Sequence, residues 1–380
     1  MKKKYIILSI ITLVLLITFV TSFNYFKTSN TYVENNSNNQ TKITKGISMN
    51  LEKTAGAGDY KQVTQSSWPT EGYKFNAELS KCENGGEISW DDTKKAVIVS
   101  GNLSDKCYVY FDIYQLTLAE YIKSQYTGTQ GENNIYYHDS SLANGAGDNS
   151  YRYAGASDSV NNYICLGSDA TTCPDANLFR IIGVFGNQTK VIRAKSVGYQ
   201  QWHTSADNTW SSSSLNAYLN GTYLTSLGTI AEKIATTTWK VGGGSGSNIS
   251  ASVPKTAYKN EVGSSASTTI IDKKIGLMYV SDYGFAASPS AWTKILGDYD
   301  GTDANGTSIK TINWMYMGYN EWTISRYSDS TNLAFFVTST GNVLGSNVRS
   351  DNGVRPSFNL ESSVKYVSGS GSMSDPVRVN

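Results

Sequence analysis

The stretch "MKKKYIILSIITLVLLITFVTSF" constrains the rest of the chain more than any later motif does. Three lysines precede an apolar run from Tyr5 to Phe23 that no charge interrupts. A run of this kind either crosses a bilayer as a helix or directs export and is cut away. A cleaved signal wants small residues at alternate positions near its end, and Val20, Thr21 and Ser22 meet that need poorly. Residues 1–26 therefore read as an uncleaved single-pass anchor ahead of a cleaved signal, with the lysines holding the N-terminus in the cytoplasm. With either outcome the remainder lies outside the cell, where paired thiols become disulfides.

That compartment governs the four cysteines, which allow three pairings. Sequence neighbourhood favours Cys82 with Cys107 and Cys165 with Cys173, the second pair closing the short, turn-rich loop "CLGSDATTC". Zinc is the alternative. Neither pair has the spacing of a zinc site, and His138 and His203 stand far apart in the chain. The net charge of +1 rests on the N-terminal lysines, so the exported part is near neutral and offers no electrostatic case for nucleic acid.

Residues 27–46 are rich in Asn, Ser and Thr and hold almost no large apolar side chain, which reads as a disordered stalk. Over 47–115 short alternating runs such as "YKFNAELSKC" and "KCYVYFDIY" predict a small antiparallel β-sandwich, stapled by Cys82 and Cys107. Residues 116–133 form a capped helix and a connection. Thr117 is a natural N-cap, and Glu120, three residues on, completes a capping box. Within 134–380, "NLFRIIGVFG" and "TKVIRAKSVG" predict two strands turning at Gly186-Asn187. "WSSSSLNAYLNGTYL" predicts a helix ending at Gly221, and "TSLGTIAEKIA" a second helical stretch. The later segments, "KIGLMYVSDYGFAA" among them, read as strand or loop, with a hairpin turning at Thr340-Gly341.

The ordered set "FRIIGVF", "SSLNAYLNG", "IGLMYVSDYGFA", "EWTISR" and "GVRPSFNL" resembles a domain-of-unknown-function family with a C-type-lectin-like fold. That family occurs in surface proteins of low-GC Gram-positive bacteria and is distantly similar to the sulfatase-modifying-factor fold. The resemblance covers about residues 134–380, and residues 72–115 resemble the small disulfide-bonded β module that often precedes such domains. It implies an α+β architecture: two helices packed on a twisted antiparallel β-core, with long loops displayed on one side. It carries no activity across. The catalytic cysteines of the sulfatase-modifying relatives have no counterpart, and the Glu-Pro-Asn and Gln-Pro-Asp calcium tripeptides of sugar-binding lectins are absent from the sequence.

The candidate site residues follow from residue type and position. Trp292, Tyr299 and Tyr319 lie in or beside the late loops and are the expected ligand contacts, whereas Trp210, Trp314 and Trp322 are expected in the core. Asp298, Asp300, Asp303 and Asn305 cluster oxygen atoms of the kind calcium takes, without the spacing of an EF-hand. Arg355 is a charge inside an apolar strand. In extended backbone it shares a face with Ser357, opposite Val354, Pro356 and Phe358. It is expected to act as a structural clamp with a bidentate carboxylate, Asp282 being the named partner.

No Walker loop, dinucleotide fingerprint, His-Glu-x-x-His or Gly-x-Ser-x-Gly motif is present, so His203 has no nucleophile to serve. The chain therefore reads as a membrane-tethered, non-enzymatic adhesion protein on the extracellular face, without an obligate cofactor. Its lectin-like loops are expected to recognise a glycan or protein ligand. An extracellular hydrolase or cell-wall-modifying enzyme is one alternative, and a purely structural surface component is another.

Overall fold

The computed structural model describes residues 47–64, 68–69, 72–101 and 105–380. The expected anchor over 1–26 and stalk over 27–46 lie outside the described residues. Among the described residues no helix is long and apolar enough to cross a membrane. The chain divides into two compact units between Gln115 and Leu116.

In the first unit a sheet runs in the order Tyr60–Val63, Ile47–Glu52, Cys107–Ile113, Tyr73–Cys82. The expected all-antiparallel sandwich is corrected here, because Ile47–Glu52 lies parallel to Cys107–Ile113. Parallel neighbours need a long connection, and the whole intervening unit supplies it. A separate hairpin, Glu87–Asp91 with Ala96–Ser100, forms the second layer. It packs Trp90 against Phe75 and Phe111, with ring centroids 6.3 and 5.5 Å apart. Alternation then accounts for the small core: Met49 and Leu51 on one strand and Val109 and Phe111 on its neighbour are buried together. Cys82 and Cys107 are cross-strand partners and are bonded to each other.

The second unit opens with the helix Leu118–Ser124. The Thr117 hydroxyl accepts from the Glu120 N–H, and the Glu120 carboxylate accepts from the Thr117 N–H. The principal sheet has at its centre Leu178–Phe185 paired with Gln188–Arg193, which pairs in turn with Ser357–Leu360. Tyr163–Cys165 flanks Leu178–Phe185 on its other side, and Cys165 is bonded to Cys173. Gly186, at φ 62°, makes the expected turn. A five-stranded sheet follows in the order Tyr199–Gln201, Asp351–Gly353, Glu321–Arg326, Leu333–Val337, Val343–Asn347, and a small pair joins Thr237–Lys240 to Ile270–Lys273. Trp202, Trp210, Trp239, Trp314 and Trp322 fill the interior.

The α+β architecture of two helices on a β-core is corrected: the described residues are mostly β, 34% strand to 18% helix, and their helices are several and short. The helix beginning at Ser214 does not stop at Gly221. It continues through a wider π turn, Leu219–Tyr223, into Leu224–Ser226. The second helical stretch is a tight 3₁₀ segment, Gly228–Lys233. "YVSDYGFA", read as a strand, is the helix Val280–Ala286, and all seven of its residues are buried. A short apolar run buried on every side carries no periodicity by which to tell helix from strand. The Asp282 carboxylate reaches back to the Tyr279 N–H at 2.9 Å and starts the helix.

Candidate binding site

The aromatic residues expected to meet a ligand are mostly interior. Trp292 and Tyr299 are both 0% exposed. The Trp292 indole donates to the Ala287 carbonyl at 2.8 Å and packs against Phe285, Tyr136 and His138. The Tyr299 hydroxyl lies 3.2 Å from the Ala291 carbonyl. Short turns at Pro289–Ala291 and Leu296–Asp298 fold this loop back into the core, which removes both rings from any contact surface. Tyr319 is half-buried beside the exposed ring of Tyr199, 6.1 Å away.

The oxygen cluster also serves another purpose. Asp298 and Asp300 are exposed, while Asp303 accepts from the backbone N–H groups of Asn305 and Thr307 at 2.9 and 2.8 Å. Hydrogen bonds from Ser290 and then from this turn hold the Asp303 carboxyl below its ordinary range. Among the described residues no group of three His, Cys, Asp or Glu side chains gathers into a metal ligand set.

Arg355 is 1% exposed, and its partner is Glu321 rather than Asp282. Nε donates to Oε1 at 2.6 Å and Nη2 to Oε2 at 3.0 Å, a two-pronged contact, and Nη2 also donates to the Met315 carbonyl at 2.7 Å. Burial pushes the Glu321 carboxyl above its ordinary range, and the Arg355 charge opposes that. Asp282 is unavailable to Arg355 because its position in the first turn of the helix Val280–Ala286 directs it to a different cluster.

That cluster lines a cavity of about 190 Å³. Lys190, from Gln188–Arg193, donates to Asp282 Oδ2 at 2.5 Å, and Arg152 Nη1 stands 3.6 Å from Asp282 Oδ1. Arg152 also donates to Asp148 at 2.7 Å and to the Ser150 hydroxyl at 2.8 Å. Gly183 makes room for it: a Cβ there would stand 2.2 Å from the Tyr151 carbonyl oxygen, on the strand that carries Arg152. Aromatic rings enclose both cations. Lys190 Nζ lies 4.7 Å from the Tyr279 ring centre and 5.4 Å from that of Trp239; the Arg152 guanidinium lies 4.7 Å from Phe185 and 5.1 Å from Tyr258.

Burial lowers the Lys190 ammonium, and Asp282 acts against that. Burial would raise Asp148, but the Arg152 charge and hydrogen bonds from Ser150, Arg152 and Tyr258 together outweigh it, and the carboxyl sits well below its usual range. Burial also pushes the Tyr258 hydroxyl up, and the neighbouring Asp148 adds to the shift. Beneath the helix start, Glu261 accepts from the Val280 and Ser281 N–H groups at 3.0 and 2.8 Å and from the Ser325 hydroxyl. The cavity is thus apolar-walled; Arg152 and Lys190 are matched by Asp148 and Asp282, and a third lining cation, Lys240, donates to the Gly263 carbonyl at 3.3 Å. None of Lys190, Arg152, Tyr258 or Asn359 was singled out from sequence. The rule that marks Arg355, a charge inside an apolar strand, applies equally to Lys190 in "TKVIR".

Residues 186–362 match the family described as Domain of unknown function (DUF6273), so this stretch, which carries Lys190, Asp282 and Arg355, is similar to that family. No curated protein and no solved structure matches the chain.

Proposed function

We propose that the chain is an exported, non-enzymatic binding protein, and that its second unit takes one ring-sized group of a larger ligand into the Lys190 pocket. The observation that carries this reading is the cavity itself: aromatic walls around a small set of fixed polar groups are what small-molecule recognition needs. The charges favour binding over catalysis. Lys190, Arg152, Asp148 and Asp282 are tied to one another, which suits polar groups held in place to orient a ligand. The two disulfides support an extracellular setting.

The test is an array of glycans and cell-surface proteins probed with the natural chain and with Thr238→Trp, which enlarges an exposed residue of the pocket lining. The reading expects a ligand retained by the natural chain and lost by the variant at unchanged unfolding midpoint. Binding that ignores the plug takes recognition away from the pocket.

A further inference from the structure

Lys190 and Asn359 stand directly opposite each other on adjacent antiparallel strands. Residues so paired share a face of the sheet, with Cβ atoms about 5 Å apart, and both line the pocket. Their hydrogen-bonding needs are complementary and unfinished. Asn359 donates through Nδ2 to the Thr237 hydroxyl at 3.0 Å, and its Oδ1 is buried with no partner among the described residues. An acceptor left that way costs stability unless something donates to it. Lys190 has three N–H donors. Asp282 takes one, and among the described residues no second acceptor is bonded to Nζ. The pocket thus presents a donor and an acceptor side by side.

We infer that the group the pocket takes is a neutral sugar ring bearing two adjacent hydroxyls, one accepting from Lys190 and the next donating to Asn359 Oδ1. This assignment rests on the pocket reading above and narrows it. A hydroxyl both donates and accepts, so a neighbouring pair on a ring satisfies both strand residues at once. The C–H face of the same ring lies against aromatic walls such as Tyr258 and Phe185. The volume suits one ring. Neutrality follows from the cluster: Asp282 already matches Lys190, Asp148 already matches Arg152, and the third lining cation, Lys240, donates to the Gly263 carbonyl at 3.3 Å, so an anionic ring would have to draw Lys240 from that carbonyl or displace Asp282 to gain a counter-charge.

The experiment is saturation-transfer NMR and titration of the full chain with methyl glucopyranoside, methyl galactopyranoside and methyl mannopyranoside. Methyl glucuronide and N-acetyltyrosinamide are run in parallel. At least one neutral glycoside should bind, lose about tenfold in affinity in Asn359→Leu through the missing acceptor, and recover in Asn359→Asp, which restores an acceptor oxygen. Thr238→Trp should abolish the signal, with the unfolding midpoint confirming that each variant is folded. Failure of all three neutral glycosides overturns the sugar assignment. If N-acetyltyrosinamide or the glucuronide then binds and is blocked by Thr238→Trp, the pocket reading survives without it; if neither binds and the array is indifferent to the plug, both fall.

Discussion

Two buried cations of the same unit, Arg355 between the strands Asp351–Gly353 and Ser357–Leu360 and Lys190 within Gln188–Arg193, meet different ends. Arg355 meets Glu321 in a fork of hydrogen bonds with protein packed around it, and its Nη1 is buried with no partner among the described residues. Lys190 faces Asp282, delivered by the start of a helix, and Arg152 from a third segment shares that carboxylate beside an open cavity. The burial is alike, at 1% and 5% exposed, so burial does not separate a clamp from a site. What separates them is whether the segments that supply the partners leave space between them. Glu321 and the Met315 carbonyl close around Arg355; the strand Gln188–Arg193, the segment carrying Arg152 and the start of the helix Val280–Ala286 leave a gap.

The sharpest way to break this comparison is at the clamp. Arg355→Ala leaves Glu321 buried and uncompensated, and chemical denaturation should show a loss of about 3–5 kcal/mol. Arg355→Lys should recover only part of it, because a point charge cannot reproduce the fork. A variant of full stability that has lost ligand binding would reverse the assignment and make Arg355 a site residue.

At the pocket the same kind of change should be milder. Lys190→Met leaves Asp282 its backbone N–H at Tyr279 and the Arg152 charge, so the expected loss is about 1–3 kcal/mol. Equal losses for Arg355→Ala and Lys190→Met would erase the distinction drawn between closed and open clusters.

The smallest effect is read by pH. His138 is 0% exposed; its Nδ1 accepts from the Ala146 N–H, and its Nε2 has no partner among the described residues. Burial first, and then the Arg152 charge, hold its pKa well below 6.5. The unfolded chain therefore binds the proton first. This contribution to stability is intact above about pH 6.5 and is lost as pH falls toward the folded-state pKa, by up to about 1.4 kcal/mol per pH unit. Denaturant midpoints at pH 7 and 5.5 should differ in that sense, and His138→Gln should flatten the difference. A slope unaffected by the substitution would mean that other groups carry it.

The parts of the fold legible in sequence were those settled by near neighbours. The Thr117–Glu120 capping box, the turn at Gly186-Asn187, the hairpin turning at Thr340-Gly341 and the local cysteine pairs all appear in the structure. The misreadings came where burial erases pattern. "YVSDYGFA" is apolar enough to suit either strand or helix, and loop aromatics such as Trp292 look available until the loop is seen to fold inward. Arg355 was recognisable as a buried charge, but its partner was not, because carboxylates at 282 and 321 are equally plausible until the chain is folded.

The amino-acid sequence by itself determined which residues cap, turn, alternate and cross-link, since those outcomes depend on atoms within a few residues or on a thiol whose partner lies in the same compact segment. Only the tertiary structure decided which charges pair and where a cavity opens. Lys190, Asn359, Asp282, Arg152 and Tyr258 come from distant stretches of chain, and their common site exists only through the packing of the elements that carry them. Exclusion of water, which gives a lone acceptor or a paired ammonium its energetic weight, belongs to that packing and to no local run of residues.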